Sequence, residues 1–227
     1  RDRFVLDPLP QRLVGLVRGQ TMFEAQAYEI SLQAGTMVGL EKEERLATPW
    51  PRSLRSRLPW LILNLLTAFL AAAVVGMFEG TLEQIVVLAV FLPVLAGQSG
   101  NTGCQALAVT LRGITLGELR ADRVVATASK EALLGFLNGL VVGAIAGGGM
   151  WFYAHGQGNP AALSLGLIVM AAMTASCVIS GIAGAVIPLA LKRVGADPAT
   201  ASSIFLTTAT DVVSMGAFLG LATLLLL

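Results

Sequence analysis

Five long apolar segments, separated by short polar loops, dominate the pattern of hydrophobic and polar positions. They cover residues 58–78, 84–111, 131–154, 161–191 and 200–227. Each is at least as long as the roughly 20 apolar residues with which an α-helix crosses a bilayer. The pattern therefore predicts an all-α membrane protein with five transmembrane helices per subunit, in a transmembrane domain over residues 50–227.

The first 49 residues are more polar and predict a different organisation. Residues 13–17 form an apolar run typical of a single strand. Thr21 and Glu24 match a capping box, and apolar residues follow at helical spacing until Gly35. We therefore expect a connecting helix and linker over residues 20–49. Residues 1–19 are too few to fold alone, and without an initiator Met or a signal peptide the chain is expected to be a fragment of a longer protein.

Charge is sparse and concentrated near the N-terminus. Charged residues make up 13% of the chain, against roughly 25% in a soluble domain. Residues 1–57 carry 16 of the 29 charged side chains. The net charge of +1 gives no reason to expect a nucleic-acid partner. Cys104 and Cys177 both lie in apolar segments, which is typical of small core residues.

The distribution of Lys and Arg over the loops predicts the orientation in the membrane. These residues precede the first span and follow the second and fourth spans, whereas the loops after the first and third spans carry none. By the positive-inside rule, the N-terminus is cytoplasmic and the C-terminus lies outside, in a multi-pass protein of the cell (inner) membrane. The tight acidic turn at Glu79 and Glu83 then becomes a candidate outer entrance.

Small residues repeat every four positions in two of the spans. The third span carries Gly135, Gly139, Gly143 and Gly147, and the fourth carries Ala172, Ser176, Ser180 and Gly184. Such stripes let two helix backbones approach closely, so we expect them to be structural.

Glycine and polar residues interrupt the second span between residues 97 and 105, and the glycines predict a break there. If the helix continues, four polar side chains share one face: Gln98, Asn101, Thr102 and Gln105. That face either lines a water-filled path or forms a close-packed seam in which amides bond across helices. The residues alone leave both interpretations open.

Asp211 lies well inside the last span, on a polar stripe at helical spacing. The stripe consists of Thr200, Ser203, Thr207, Asp211 and Ser214. A carboxylate within a membrane is costly, so it suggests function unless it is protonated and bonded to a neighbouring helix. Oxygen ligands around one carboxylate suit Mg²⁺, which keeps several of its waters. There is no Cys and His constellation for a softer metal.

Residues 97–100, Gly-Gln-Ser-Gly, allow a rival interpretation as the nucleophile motif of a rhomboid-type intramembrane serine protease. Such an enzyme needs a histidine base beside Ser99. The one histidine, His155, is predicted in an external turn, so the sequence favours a protein that is not an enzyme.

Residues 93–105, PVLAGQSGNTGCQ, with Leu111-Arg112-Gly113 after them, resemble the second-helix signature of the MgtE magnesium channels and their solute-carrier relatives. Residues 197–199 and 207–211 resemble the fifth helix of that family, and residues 57–61 resemble its first. The likeness covers about residues 50–227. Residues 20–49 are loosely similar to the family's connecting helix, and residues 1–19 to the tail of a CBS domain.

The resemblance implies a homodimer with a pore between the subunits, lined by helices two and five. It implies that Asp211 holds a largely hydrated Mg²⁺, with backbone carbonyls near Thr207, and that Asn101 shapes the filter. A cytosolic Mg²⁺ sensor that closes the pore is also implied.

A regulatory metal site is a further expectation. Glu41, Glu43, Glu44 and Asp197 all fall on the predicted cytoplasmic side, where Mg²⁺ could bridge clustered carboxylates. Alternatively, Asp197 only caps the last helix, ahead of Pro198.

The sequence thus predicts a channel for which Mg²⁺ is both the transported ion and a regulator. Its other expected partners are the lipid bilayer and a second copy of the chain. A carrier for Mn²⁺ or Co²⁺ and a purely structural membrane module are the alternatives.

Overall fold

A computed structural model describes residues 3–6, 13–38, 40–41, 44–118, 124–195 and 197–227. Strands β1 (Arg3–Leu6) and β2 (Leu13–Val17) pair antiparallel, and helix α1 (Gly19–Thr36) follows them. The strand predicted at residues 13–17 is confirmed. The predicted capping box is wrong, because the helix has already begun at Gly19 and Met22 N donates to Arg18 O at 3.2 Å. Thr21 therefore lies inside the first turn.

The five predicted spans are confirmed as five helices that are long and apolar enough to cross a membrane. They are α2 (Trp50–Gly76), α4 (Val87–Thr115), α5 (Val124–Gly156), α6 (Ala162–Arg193) and α7 (Pro198–Leu226). A short helix, α3 (Glu79–Gln84), lies between the first two spans. The tight turn predicted at this place is therefore wrong, since the segment completes its own helical bonds.

Two of the long helices end in the same glycine-based motif. Gly117 and Gly158 have φ angles of 69° and 70°, which glycine adopts without steric penalty. Glu118 N then donates to Gly113 O at 2.9 Å, and Asn159 N donates to Ala154 O at 3.0 Å. These bonds complete Schellman motifs that satisfy the last carbonyls of α4 and α5.

Helix α4 runs without interruption through its glycine-rich middle. The predicted break is therefore wrong. A glycine in a helix costs about 1 kcal/mol relative to alanine, but packing against α6 and α7 outweighs that cost here. The hydroxyls of Ser99 and Thr102 also donate to carbonyls of the preceding turn, at 3.1 and 3.0 Å, without disturbing the helix.

Helix α6 is the centre of the bundle and packs against α4, α5 and α7, whereas α2 packs on α7 at the periphery. The predicted glycine stripe of α5 is a true backbone contact, although it meets α6 at residues other than the stripe predicted there. A Cβ atom added to Gly135 would lie 2.4 Å from Cys177 O, and one added to Gly147 would lie 2.5 Å from Gly166 O. Neither distance is physically possible, so glycine is required where α5 meets α6.

Glycines also fix the rotation of α4. A Cβ atom on Gly184 of α6 would lie 2.4 Å from Gly103 O, and one on Gly103 would lie 3.0 Å from the Leu206 side chain of α7. At the end of the bundle where α7 begins, the core consists of Leu107, Leu111 and Leu206, and Met37 packs against them. A larger core fills the other end of the bundle and includes Leu88, Met150, Leu165 and Phe218.

Gly135→Ala should destabilise the protein, because the new methyl group has no space between α5 and α6. Overpacking of this kind costs roughly 1–3 kcal/mol. Gly148→Ala is the matched control on the same helix, where an added Cβ meets nothing within 4 Å. The measurement is the temperature at which detergent-solubilised protein loses its monodisperse peak in size-exclusion chromatography. Equal melting of the two variants would contradict the close contact.

Candidate functional site

Asp211 lies near the middle of α7, about 20 Å along the axis from the helix start. It is partly buried. Within the described part of the chain, its carboxylate has neither a hydrogen bond nor an ion pair. A carboxylate at this depth without a protein partner is costly unless water or a cation reaches it. The unpaired state is therefore the strongest chemical feature of the spans.

Hydroxyl groups precede Asp211 on α7, one and two turns earlier. The Thr207 hydroxyl donates to Ser203 O at 3.0 Å, and the Thr210 hydroxyl donates to Thr207 O at 3.0 Å. The Thr207 carbonyl thus accepts a hydroxyl in addition to its helical N–H. The Thr207 hydroxyl already donates its one hydrogen to a carbonyl, so its oxygen can only act as an acceptor for a further hydrogen bond. Thr207 therefore offers a hydroxyl oxygen more readily than its carbonyl.

Ser214 differs in position from the other polar residues of its stripe. It is fully buried, and its hydroxyl donates to Asp211 O at 3.2 Å. Ser203 and Thr207 are partly exposed. The predicted pore-lining role of Ser214 stays a prediction, and in one isolated subunit its side chain is covered by neighbouring helices.

Three amide side chains of α4 are exposed and form what we call the amide face: Gln98, Asn101 and Gln105. Thr102 lies at its edge and turns toward α6, where its hydroxyl also approaches Cys177 Sγ at 3.5 Å. Gly97 and Gly100 have nothing within 4 Å of an added Cβ. The amide face is therefore open in a single subunit, and its polar groups cannot remain in lipid without partners.

The short helix α3, which carries the acidic residues Glu79 and Glu83, is held against the C-terminal end of α7 by a hydrogen bond. Thr81 is buried, and its hydroxyl lies 2.8 Å from that of Thr223 in α7. Thr223 donates to Leu219 O at 2.7 Å, so the shared proton comes from Thr81. This bond fixes α3 to the end of α7 and leaves Glu79 and Glu83 exposed there. Their role at an outer entrance stays a prediction.

The residues predicted for a regulatory metal site differ in their surroundings, and one of them lies outside the described residues. Arg57 Nε donates to Glu44 Oε1 at 2.9 Å, and this hydrogen bond holds the pKa of the Glu44 carboxyl below its usual range. Glu41 and Asp197 are exposed, and Glu43 lies outside the described residues. Within the described ranges, no three His, Cys, Asp or Glu residues are grouped as a metal site.

Asp197 directly precedes Pro198, the first residue of α7, so it occupies the N-cap position. This placement is what the capping alternative requires. The bridging role of Asp197 stays a prediction.

The arrangement of Ser99 and His155 does not suit nucleophilic catalysis. Ser99 is fully buried and donates to Ala96 O at 3.1 Å. His155 is exposed at the end of α5, where its ring stacks on Trp151 with 5.5 Å between centroids. The serine proton is thus directed to the backbone of α4 and not to an imidazole.

One buried acid had no predicted role. Glu131 of α5 is only 7% exposed and packs against α6, where a Cβ atom on Gly181 would lie 2.6 Å from Glu131 O. The signal in the sequence is an acidic residue one turn before Gly135, at the start of the glycine stripe. The Ser176 and Ser180 hydroxyls of α6 are also buried, with no partner among the described residues.

Comparison with known proteins places these features in a family. The family model of MgtE, described as a divalent cation transporter, matches residues 92–221, which is more than half of the chain. The chain is similar to the magnesium transporter MgtE of Bacillus subtilis, with 34% identity over 173 residues, covering 74% of this chain and 36% of the relative. It is also similar to the magnesium transporters MgtE of Enterococcus faecalis and Thermus thermophilus.

The Enterococcus protein is 29% identical over 218 residues, which cover 93% of this chain and 45% of the relative. The Thermus protein is 32% identical over 172 residues, which cover 75% of this chain and 36% of the relative. The chain therefore spans less than half the length of these curated relatives.

Cysteine substituted at position 98, 101 or 105 should react with a water-soluble thiol reagent, because these positions form the exposed amide face. The background carries Cys104→Ala and Cys177→Ala, and labelling is followed by the mass shift of the membrane-embedded protein. Ser99→Cys is the matched control, since Ser99 is fully buried on the same helix. Inertness at all three exposed positions would favour a sealed helix seam or a lipid-facing surface.

Proposed function

The chain belongs to the MgtE family of divalent cation transporters, and on that premise we propose that it conducts hydrated Mg²⁺ through a pore lined by α4 and α7 between two copies of the chain. The observation that carries the proposal is Asp211, an unpaired carboxylate in the middle of a spanning helix. The similar proteins of known name are magnesium transporters, which supports Mg²⁺ as the cation.

The side chains around the proposed path suit a cation that keeps its water. Mg²⁺ dehydrates reluctantly and is commonly bound through one or two carboxylates together with several waters. Asp211 supplies the charge, and the Thr207 hydroxyl oxygen can accept a bond from a metal-bound water. Amide oxygens of Asn101 and its neighbours on the amide face can accept further bonds. The protein then selects the hydrated ion by size and by hydrogen bonding.

The exposure of the amide face supports a homodimer. Polar side chains within a bilayer face either another helix or a water-filled cavity. The amide face is open in one subunit, so a second copy opposite it would exclude lipid and enclose water. The same arrangement would bring two Asp211 carboxylates to one path. Two carboxylates would favour a divalent cation over a monovalent one.

The ends of the bundle differ in charge, which supports a cytoplasmic N-terminus. Arg57, Arg112, Lys130 and Lys192 lie at the end where α7 begins. Over the described residues, the opposite end carries Glu79 and Glu83 but no Lys or Arg. By the positive-inside rule, the basic end faces the cytoplasm of a multi-pass membrane protein.

A carrier for Mn²⁺ or Co²⁺ is the second candidate, because oxygen ligands bind these ions at least as strongly as Mg²⁺. Measuring whether Mn²⁺ or Co²⁺ competes with Mg²⁺ for transport decides between the two candidates. A pore that takes the ion with its waters discriminates by the size and exchange rate of the hydrated ion, whereas direct ligation by Asp211 would favour Mn²⁺ and Co²⁺.

Asp211→Asn should reduce Mg²⁺ flux into liposomes at least about tenfold, on the scale of losses seen when a metal site loses one supporting group. The change keeps the size of the side chain and removes its charge, so the protein should still fold. Glu118→Gln is the matched control, because it neutralises an exposed carboxylate in the loop after α4. Wild-type flux in Asp211→Asn would contradict the proposed path.

Asp197→Asn tests the regulatory site in channel recordings at varied cytoplasmic Mg²⁺. A bridging role predicts a higher open probability at high Mg²⁺ and no change at low Mg²⁺. If Asp197 only caps α7, asparagine replaces it equally well, and the dependence on Mg²⁺ stays as in the unaltered chain.

A further inference from the structure

A cavity of about 650 Å³ opens at the N-terminal end of α2, which we call its foot, between that helix and the linker before it. Six of its lining residues carry the argument: Glu44, Arg45, Trp50, Leu54, Arg57 and Leu61. Because α2 is the first spanning helix, its foot lies at a boundary between membrane and water, whichever side that boundary faces. Trp50, which is 76% exposed, is of the residue type that is enriched at such boundaries.

Glu44 is the unusual group in the cavity wall. Its side chain is only 5% exposed. Oε1 accepts hydrogen bonds from Arg57, whereas Oε2 is buried and has no hydrogen bond of good geometry among the described residues. The hydroxyls of Ser53 and Ser56 lie near this carboxyl and, after Arg57, help to lower its pKa. A buried carboxylate oxygen without a donor is costly. The terminal torsion of a glutamate is broad, so a modest rotation can turn Oε2 toward the cavity and a donor placed there.

Guanidinium groups line the same cavity. Arg57 uses Nε and one Nη on Glu44, and a guanidinium carries five N–H donors. Arg45 donates to the Tyr28 hydroxyl and lies 5.8 Å from the centre of that ring. Both arginines therefore keep donors for an anionic oxygen. The cavity presents an acceptor for a cationic N–H group and donors for an anion side by side.

Apolar side chains continue from the cavity along α2. Leu54 and Leu61 are two turns apart, which is about 10 Å along the helix. They are 52% and 61% exposed. They form a path from the charged foot into the bilayer, of the kind that an acyl chain can follow.

We propose that this cavity binds an aminophospholipid of the phosphatidylethanolamine class, with its primary ammonium on Glu44, its phosphate on the two arginines and an acyl chain along Leu54 and Leu61. A choline headgroup carries the same charges but no N–H, so it leaves Oε2 without a donor. A glycerol headgroup has no cation to place beside the carboxylate. A bare divalent cation needs several oxygen ligands, and among the described residues that line this wall Glu44 is the only carboxylate.

Binding of lipids with identical acyl chains to the purified full chain tests the proposal. Native mass spectrometry measures the affinity for phosphatidylethanolamine, its N-methyl and N,N-dimethyl derivatives, phosphatidylcholine and phosphatidylglycerol. The first four carry the same charges, and each methyl group added along the series replaces one N–H donor. Phosphatidylethanolamine should bind roughly tenfold tighter than phosphatidylcholine, the affinity equivalent of one hydrogen bond to a charged group. Flux is not measured, so failure here is distinct from failure of the proposed Mg²⁺ path.

Glu44→Gln should abolish the preference for phosphatidylethanolamine over phosphatidylcholine. Glu41→Gln, which neutralises an exposed carboxylate outside the cavity wall, should keep it. The methylation series on the unaltered chain decides the question even if Glu44→Gln does not fold. Equal binding of the ethanolamine and choline lipids, tightest binding of phosphatidylglycerol, or the same loss in both variants would each overturn the proposal, as would a cavity that holds only water and no saturable lipid.

Discussion

The close contact between the backbones of α6 and its neighbours is the constraint on which the rest of the bundle depends. In a bilayer, apolar side chains gain little by leaving lipid for another helix, so association relies on close packing and on hydrogen bonds. Gly184 has no Cβ, and that absence lets α6 lie directly against Gly103 O of α4. This contact fixes the rotation of α4 about its axis. With Leu95, Ser99 and Gly103 buried at helical spacing, the amide face must point the other way.

Polar groups in the spans differ in how their hydrogen bonds are satisfied. Most hydroxyls donate to carbonyls of their own helix, as do those of Thr110, Thr174 and Thr208. Such groups need no water and add no path for an ion. The Asp211 carboxylate and the side chains of the amide face have no hydrogen bond in the described part of the chain. The described residues contain no seam of cross-bonded amides, so these groups need partners from outside those residues, such as water, an ion or another chain.

Much of the fold follows from the sequence because the bilayer dictates the length and composition of each span. The glycine stripe of α5 could be predicted as well, because a repeat of four residues places the glycines on one helix face, where they let another backbone approach closely. The continuity of α4 could not, because it depends on α6 and α7, which are distant in the sequence. Nor does helical spacing separate Thr102 from Gln98, although one faces α6 and the other is exposed. The pairing of Glu44 with Arg57 depends on the path of the linker, on which hydrophobic periodicity is silent.

Helix α7 joins the unpaired carboxylate to both ends of the molecule. Near its end, Thr223 bonds to Thr81 of α3. Near its beginning, Leu206 is fully buried among Leu107, Leu111 and Met37. Met37 comes from the segment that follows α1, so the polar part of the chain packs directly against the helix that carries Asp211. The position of the segment after α1 and the packing of α7 therefore depend on each other, at the residue directly before Thr207.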